Sequence, residues 1–124
     1  MAGSLSNYME KEVLDHLLKV GAWSQVDPMY IGLGDTGGDD TGLTNEFSAG
    51  NYARKSIDSG EFGTGAASRS IANDAAITFV TADASWGTPT HWGIFDASSA
   101  GNMIAYGKSR VRVLSGTEIQ QVLA

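Results

Sequence analysis

Cysteine is absent from this chain. No disulfide can staple it and no thiolate can hold a metal, and cysteine usage says nothing of its redox compartment. Positive charge is scarce: 8 Lys and Arg stand against 14 Asp and Glu, a formal net charge of −6 at pH 7. A protein that grips nucleic acid through phosphates needs an electropositive footprint, so this balance argues against nucleic acid as a partner. It argues equally against adhesion to an anionic membrane. No apolar run approaches the roughly 20 residues of a membrane-spanning helix. The start, Met1 to Tyr8, has neither the basic nor the apolar segment of a secretory signal, which predicts synthesis and first folding in the cytoplasm. Catalytic signatures are missing too. Histidine occurs only at His16 and His91, and no Gly-x-Ser-x-Gly elbow presents a serine.

What the chain does have is glycine, 16 residues in 124, nearly twice the average share of about 7%. Glycine at that level suits many turns and argues against a helical bundle. A chain of this length buries roughly two thirds of its unfolded surface, enough for one core, and reads as a single domain over 1–124.

Residues 5–20 give the one helical pattern. Ser4 or Ser6 can cap its start and Gly21 can end it. Leu5, Met9, Val13, Leu17 and Val20 fall on one stripe, which predicts packing on the chain's own domain. Leu14 and Leu18 widen the stripe into a second contact surface, open to a neighbouring chain. From 29 onward the pattern is β. Met29–Leu33, Tyr52–Ile57, Ala67–Ala72, Ala75–Val80, Thr90–Phe95, Met103–Tyr106 and Arg110–Val113 are short strand candidates between turns. Residues 34–50 read as a long mobile loop. The predicted fold is mainly β, an antiparallel β-sandwich or barrel-like domain over 29–124 with one N-terminal α-helix.

Little chemistry emerges from these residues. His91, Asp96 and a serine could be drawn as a triad, but a strand histidine among aromatics reads as a packing residue. Asp35, Asp39 and Asp40 crowd one glycine-rich loop without the spacing of an EF-hand, and read as an exposed acidic loop rather than a calcium site. The glycines around 32–38 make no phosphate-binding fingerprint. No catalytic, metal or cofactor-binding residues are therefore predicted. Two interaction signals remain. Lys108, Arg110 and Arg112 alternate with Ser109, Val111 and Val113, so a strand there carries three cations on one face. They either protect a sheet edge or form a docking stripe for an acidic partner. Of the three tryptophans, Trp92 reads as core and Trp86, in a turn, as an interface anchor.

Three blocks give the chain a likeness. The first is Leu5-Ser6-Asn7-Tyr8 with Leu14-Asp15-His16. The second is Tyr30-Ile31-Gly32-Leu33 and Gly50-Asn51-Tyr52-Ala53-Arg54. The third is Ala76-Ile77-Thr78-Phe79, Trp86-Gly87, Thr90 to Ala97 and Gly101-Asn102. In this order, over most of the chain, they resemble a family of small tailed-bacteriophage virion proteins, tail-fibre-like or of the capsid cement and decoration kind. The resemblance implies a non-enzymatic structural protein of the virion, assembled in the host cytoplasm. Its leading form is a cement protein that binds the shell of the major capsid protein and stabilises it, self-associating as a homotrimer at three-fold lattice sites. A tail-fibre-like or neck protein is the alternative, and a small hydrolase or carbohydrate-binding module a distant third. Partner contacts then fall to Leu14, Leu18 and Trp86 as apolar anchors, with Lys108, Arg110 and Arg112 for charge pairing. Such proteins continue into a closing strand after the final turn. The end at Ala124 predicts that this strand is missing or supplied by a partner chain.

Overall fold

Ser6 turns the chain from strand into helix. In the computed structural model, which describes residues 4–35, 39–62, 73–74, 76–108, 110–114 and 118–122, its side chain accepts from the Met9 amide at 3.2 Å, while its own amide donates to the Ile104 carbonyl at 2.9 Å. One residue thus caps the helix, satisfying one of the amides a helix start leaves orphaned, and ties that start to a strand. The preceding strand is β1 (Ser4–Leu5) and the helix is α1 (Asn7–Leu17). The helix stops before the glycine expected to end it. Val20 donates to the Asp15 carbonyl at 2.9 Å, and Lys19 takes φ 61°, the left-handed position of a Schellman cap.

The remaining elements are β2 (Met29–Gly34), β3 (Lys55–Ile57), a 3₁₀ turn (Ser59–Glu61), β4 (Ile77–Thr78), β5 (His91–Phe95), β6 (Met103–Lys108), β7 (Arg110–Leu114) and β8 (Glu118–Val122). They form two antiparallel sheets, of order β1-β6-β5-β2-β3 and β4-β8-β7. The fold is mainly β with one N-terminal helix, as the turn rhythm predicts. In the larger sheet Ile31 lies opposite Ile94 and Leu33 opposite Trp92, so these four share a face. On that face Ile31, Leu33 and Ile57 meet Ile77 and Phe79 from the β4 segment, with Phe47, Ala82 and Trp86, in one buried cluster. Ile77 and Phe79 point in while Thr78 and Val80 are exposed, the alternation that the sequence shows. Each large apolar side chain buried here contributes about 1.5–3 kcal/mol against exposure.

Several expectations change. The strand candidate at Tyr52–Ile57 narrows to Lys55–Ile57, because Tyr52 and Arg54 are engaged elsewhere. The candidate at Ala67–Ala72 lies outside the described residues. The closing strand is present: β8 comes after β7 in the chain and pairs with both β7 and β4. Its sequence, Glu-Ile-Gln-Gln-Val, is too polar to alternate cleanly, which hid it. Lys108 ends β6 in the larger sheet, whereas Arg110 and Arg112 belong to β7 in the smaller one. The three cations are therefore not one strand. The segment 39–50 is tied down by a bridge from Glu46 to Gly34 and by the Phe47 amide on the Leu33 carbonyl at 3.0 Å.

Candidate functional site

Beside Leu33 the edge of β2 runs past the end of β3, whose pairing stops at Lys55 opposite Ile31. Backbone groups left there need partners. The Leu33 amide donates to the Tyr52 hydroxyl at 2.9 Å, and that hydroxyl donates to Glu46 Oε1 at 3.0 Å. Two residues on, Arg54 grips the same carboxylate with both arms: Nε to Oε1 at 2.7 Å and Nη2 to Oε2 at 2.8 Å. Its Nη1 donates to the carbonyls of Ala97 and Ala100, each at 2.8 Å, and the guanidinium lies 3.5 Å from the Phe95 ring centre. The Arg54 side chain is only 7% exposed and that of Glu46 24%. A forked pair of this kind is the strong class of charge-assisted bond, and stacking on Phe95 adds a cation–π contact. Burial, with the Glu46 carboxylate beside it, pushes the Tyr52 phenol well above its ordinary range near 10.

This cluster needs Gly32. A Cβ there would stand 2.8 Å from Glu46 Oε1 and 3.2 Å from both the Phe95 ring and the Tyr52 hydroxyl. Nearby loops are held by similar short-range bonds. Asp96 accepts from the Asn102 amide at 2.7 Å and its side-chain nitrogen at 2.9 Å, closing the β5–β6 hairpin whose carbonyls Arg54 holds. Asn51 and Asp83 exchange bonds of 2.8 and 3.1 Å, and Asn51 Nδ2 reaches the Thr81 carbonyl at 2.9 Å. The arrangement joins three loops into one surface. Its polar groups are spent on one another, which is positioning rather than proton transfer.

The catalytic candidates fare similarly. Thr90 Oγ1 donates to the Asp35 carbonyl at 2.8 Å and sits 2.7 Å from His91 Nδ1. With the hydroxyl proton on that carbonyl, His91 is the donor in this contact, the reverse of a base activating a nucleophile. Asp96 is committed to Asn102. In the acidic loop the Thr41 hydroxyl and amide hold the Asp39 carboxyl below its usual range. Asp40 accepts from the Tyr106 hydroxyl, and that bond raises the Tyr106 phenol. Among the described residues no group of three or more His, Asp or Glu could hold a metal ion, and no helix is long and apolar enough to cross a membrane.

The predicted contact residues separate in space. Trp86 is 5% exposed and belongs to the core, its ring at 83° and 5.3 Å to that of Tyr52. It is not a surface anchor in this chain. A glycine-rich, turn-like sequence does not by itself expose a ring that has a sheet to cover. Trp92 is the partly buried one, packed against the core with its indole donating to the Lys108 carbonyl at 3.2 Å. Trp23 lines a separate groove of about 230 Å³ with Met29, Ile57, Asp58 and Phe62. Lys108 is exposed, and the side chains of Arg110 and Arg112 lie outside the described residues. Leu14 and Leu18 are 58% and 71% exposed, and Leu17 and Val20 beside them are exposed too. The helix packs on β1 and β6 through its first half, and Met9 is its only buried residue. Its second half does not pack on its own domain as the stripe predicted. The Glu46–Arg54 clamp escaped the sequence reading. Tyr52 and Arg54 both fall in the strand candidate Tyr52–Ile57, and nothing local points to a glutamate six to eight residues upstream.

The family model described as Podophage GP4 fiber I protein gp80 matches residues 4–119 of the 124. No curated protein matches the chain.

Proposed function

We propose a function for this chain from one premise: it belongs to the podophage GP4 fiber I protein gp80 family. Membership makes it a structural, fibre-like phage protein associated with the virion. The proposed role is mechanical and non-enzymatic. The β body is a rigid adaptor where a fibre meets the particle, and its loops hold fixed shapes because Arg54, Asn51 and Asp96 lock them. The match across residues 4–119 carries this reading. The exposed Lys108, with Arg110 and Arg112 on β7, supplies cations for an acidic partner surface.

The resemblance of the sequence blocks to those of capsid cement proteins favours a second placement, on the major-capsid-protein shell. A ligand that binds only the assembled shell stabilises it by mass action, and many weak contacts add through local concentration. Immunogold labelling of purified particles separates the two placements. Label at the fibre bases supports the adaptor, label spread over the shell supports cement, and unlabelled particles overturn both.

A further inference from the structure

The groove beside Trp23 is lined in two ways. Met29 lies opposite Ile57 at the end of the β2–β3 ladder, so the two apolar side chains share a face there. Trp23 and Phe62, both half-buried, supply aromatic surface. The polar lining is Gln25, Asp27 and Asp58, all three exposed, and no lysine, arginine or histidine lines the groove. Its volume of about 230 Å³ falls below the roughly 300–1,000 Å³ of pockets that enclose a whole small-molecule ligand. That is room for one side chain with an apolar stem and a positive head.

We propose that this groove receives an arginine side chain presented by a different protein. Each part of the lining matches a part of that side chain. The methylene stem lies along Met29 and Ile57. The guanidinium plane stacks on an aromatic ring, and the carboxylates at the mouth accept its N–H groups. The chain already holds one of its own arginines this way: Arg54 stacks on Phe95 and forks onto Glu46. Lysine fits less well, because its ammonium is strongly hydrated and has no plane to stack. An apolar side chain brings no charge to the two carboxylates, and an acidic one is repelled by them. A single sugar ring also stacks on tryptophan, but it is neutral where the lining is acidic.

The groove asks for the opposite charge from the surface around Lys108, so the two are separate contacts. One arginine in an open groove binds weakly by itself, with a Kd on the order of 1–10 mM. Its value is as the anchor of a larger interface, the part that pocket-filling arginines commonly take in protein–protein contacts. The inference does not depend on where in the particle the protein sits, and it is read on the purified chain alone.

NMR titration of the isotope-labelled chain with N-acetyl-arginine methylamide tests it. The three tryptophans give three indole N–H signals, and Trp23→Phe identifies that of Trp23. That signal shifts saturably with a midpoint of about 1–10 mM, while those of Trp86 and Trp92 stay in place. The citrulline analogue, of similar shape but neutral, binds at least about fivefold more weakly, because it brings no charge to the carboxylates. Asp58→Asn raises the arginine midpoint at least about threefold for the same reason. Asp58 is the N-cap of the 3₁₀ turn and asparagine caps as well as aspartate, so the unfolding midpoint of the variant stays near the parent's and lost binding is not lost fold. No shift of the Trp23 signal up to about 100 mM arginine analogue, well past the expected midpoint, overturns the proposal. So does equal binding of the citrulline analogue, or an unchanged midpoint in Asp58→Asn. A Trp23 shift that saturates at lower concentration with glucose than with the arginine analogue also overturns it, and reports a sugar site instead.

Discussion

Replacing Arg54 by Met keeps the stem over Phe95 and removes every hydrogen bond of the guanidinium. Two of those bonds fork onto Glu46 and two hold the hairpin carbonyls of Ala97 and Ala100. Breaking one partner of a buried ion pair costs about 3–5 kcal/mol, because the other charge is left without compensation. Glu46 keeps 24% of its side chain in water and recovers part of that loss, which lowers the expected cost to about 2–3 kcal/mol. For a chain of this size that is about 10 °C in Tm. Urea unfolding followed by tryptophan fluorescence measures it, since Trp86 and Trp92 both pack with the core. Glu46→Gln alone should cost less, as the amide keeps an acceptor for Tyr52 and Arg54. The double variant isolates the pair: a coupling of about 1.5–2 kcal/mol is expected. A coupling below about 0.5 kcal/mol is the value of an exposed surface pair, and would refute the clamp as the element that fixes these loops.

Tyr52→Phe should change the alkaline limb of stability. The Tyr52 phenol is raised on folding, so its contribution is fully present below the unfolded value near 10 and is lost as pH rises above it, by about 1.4 kcal/mol per pH unit. Parent unfolding curves from pH 9 to 11 should be steeper than those of the Phe variant, which keeps only what Tyr106 adds, alongside a neutral-pH cost of about 1–3 kcal/mol for the orphaned Leu33 amide. Gly50→Ala should destabilise by more than 1 kcal/mol in a denaturant titration. Gly50 has φ 57°, and an added Cβ would stand 2.4 Å from Asp83 Oδ1. Lys19→Gly should stabilise by about 1 kcal/mol, since φ 61° at a helix end costs a lysine but not a glycine. Changing Lys108, Arg110 and Arg112 together to Ser should lower occupancy of the particle most at low salt, where the parent's cations are least screened; full occupancy at every salt concentration would remove the cationic contact.

The parts legible in the sequence were those with local causes. β2, β5 and β6 are apolar or alternating runs between turns, and Ser6 caps the helix as a serine before a helical pattern should. The parts that were not legible depend on distant partners. Lys19 takes the left-handed cap although Gly21 lies two residues on, because the bonds from Lys19, Val20 and Gly21 back to the last turn decide the stop. β1 is two residues long and exists only because β6 offers an edge. Trp86 reads as a turn residue beside Gly87, yet Phe47 and Tyr52, both more than 30 residues upstream, roof it over. The clamp itself combines Glu46, Tyr52 and Arg54 with a hairpin more than 40 residues later, a conjunction that no spacing encodes.

The number of copies per purified particle tests the central claim most directly. Quantitative mass spectrometry against the major capsid protein supplies it. A structural protein at fibre bases follows particle symmetry and is expected at about six to a few dozen copies. Hundreds of copies would move the protein to the shell. Its absence from purified particles would contradict the account altogether.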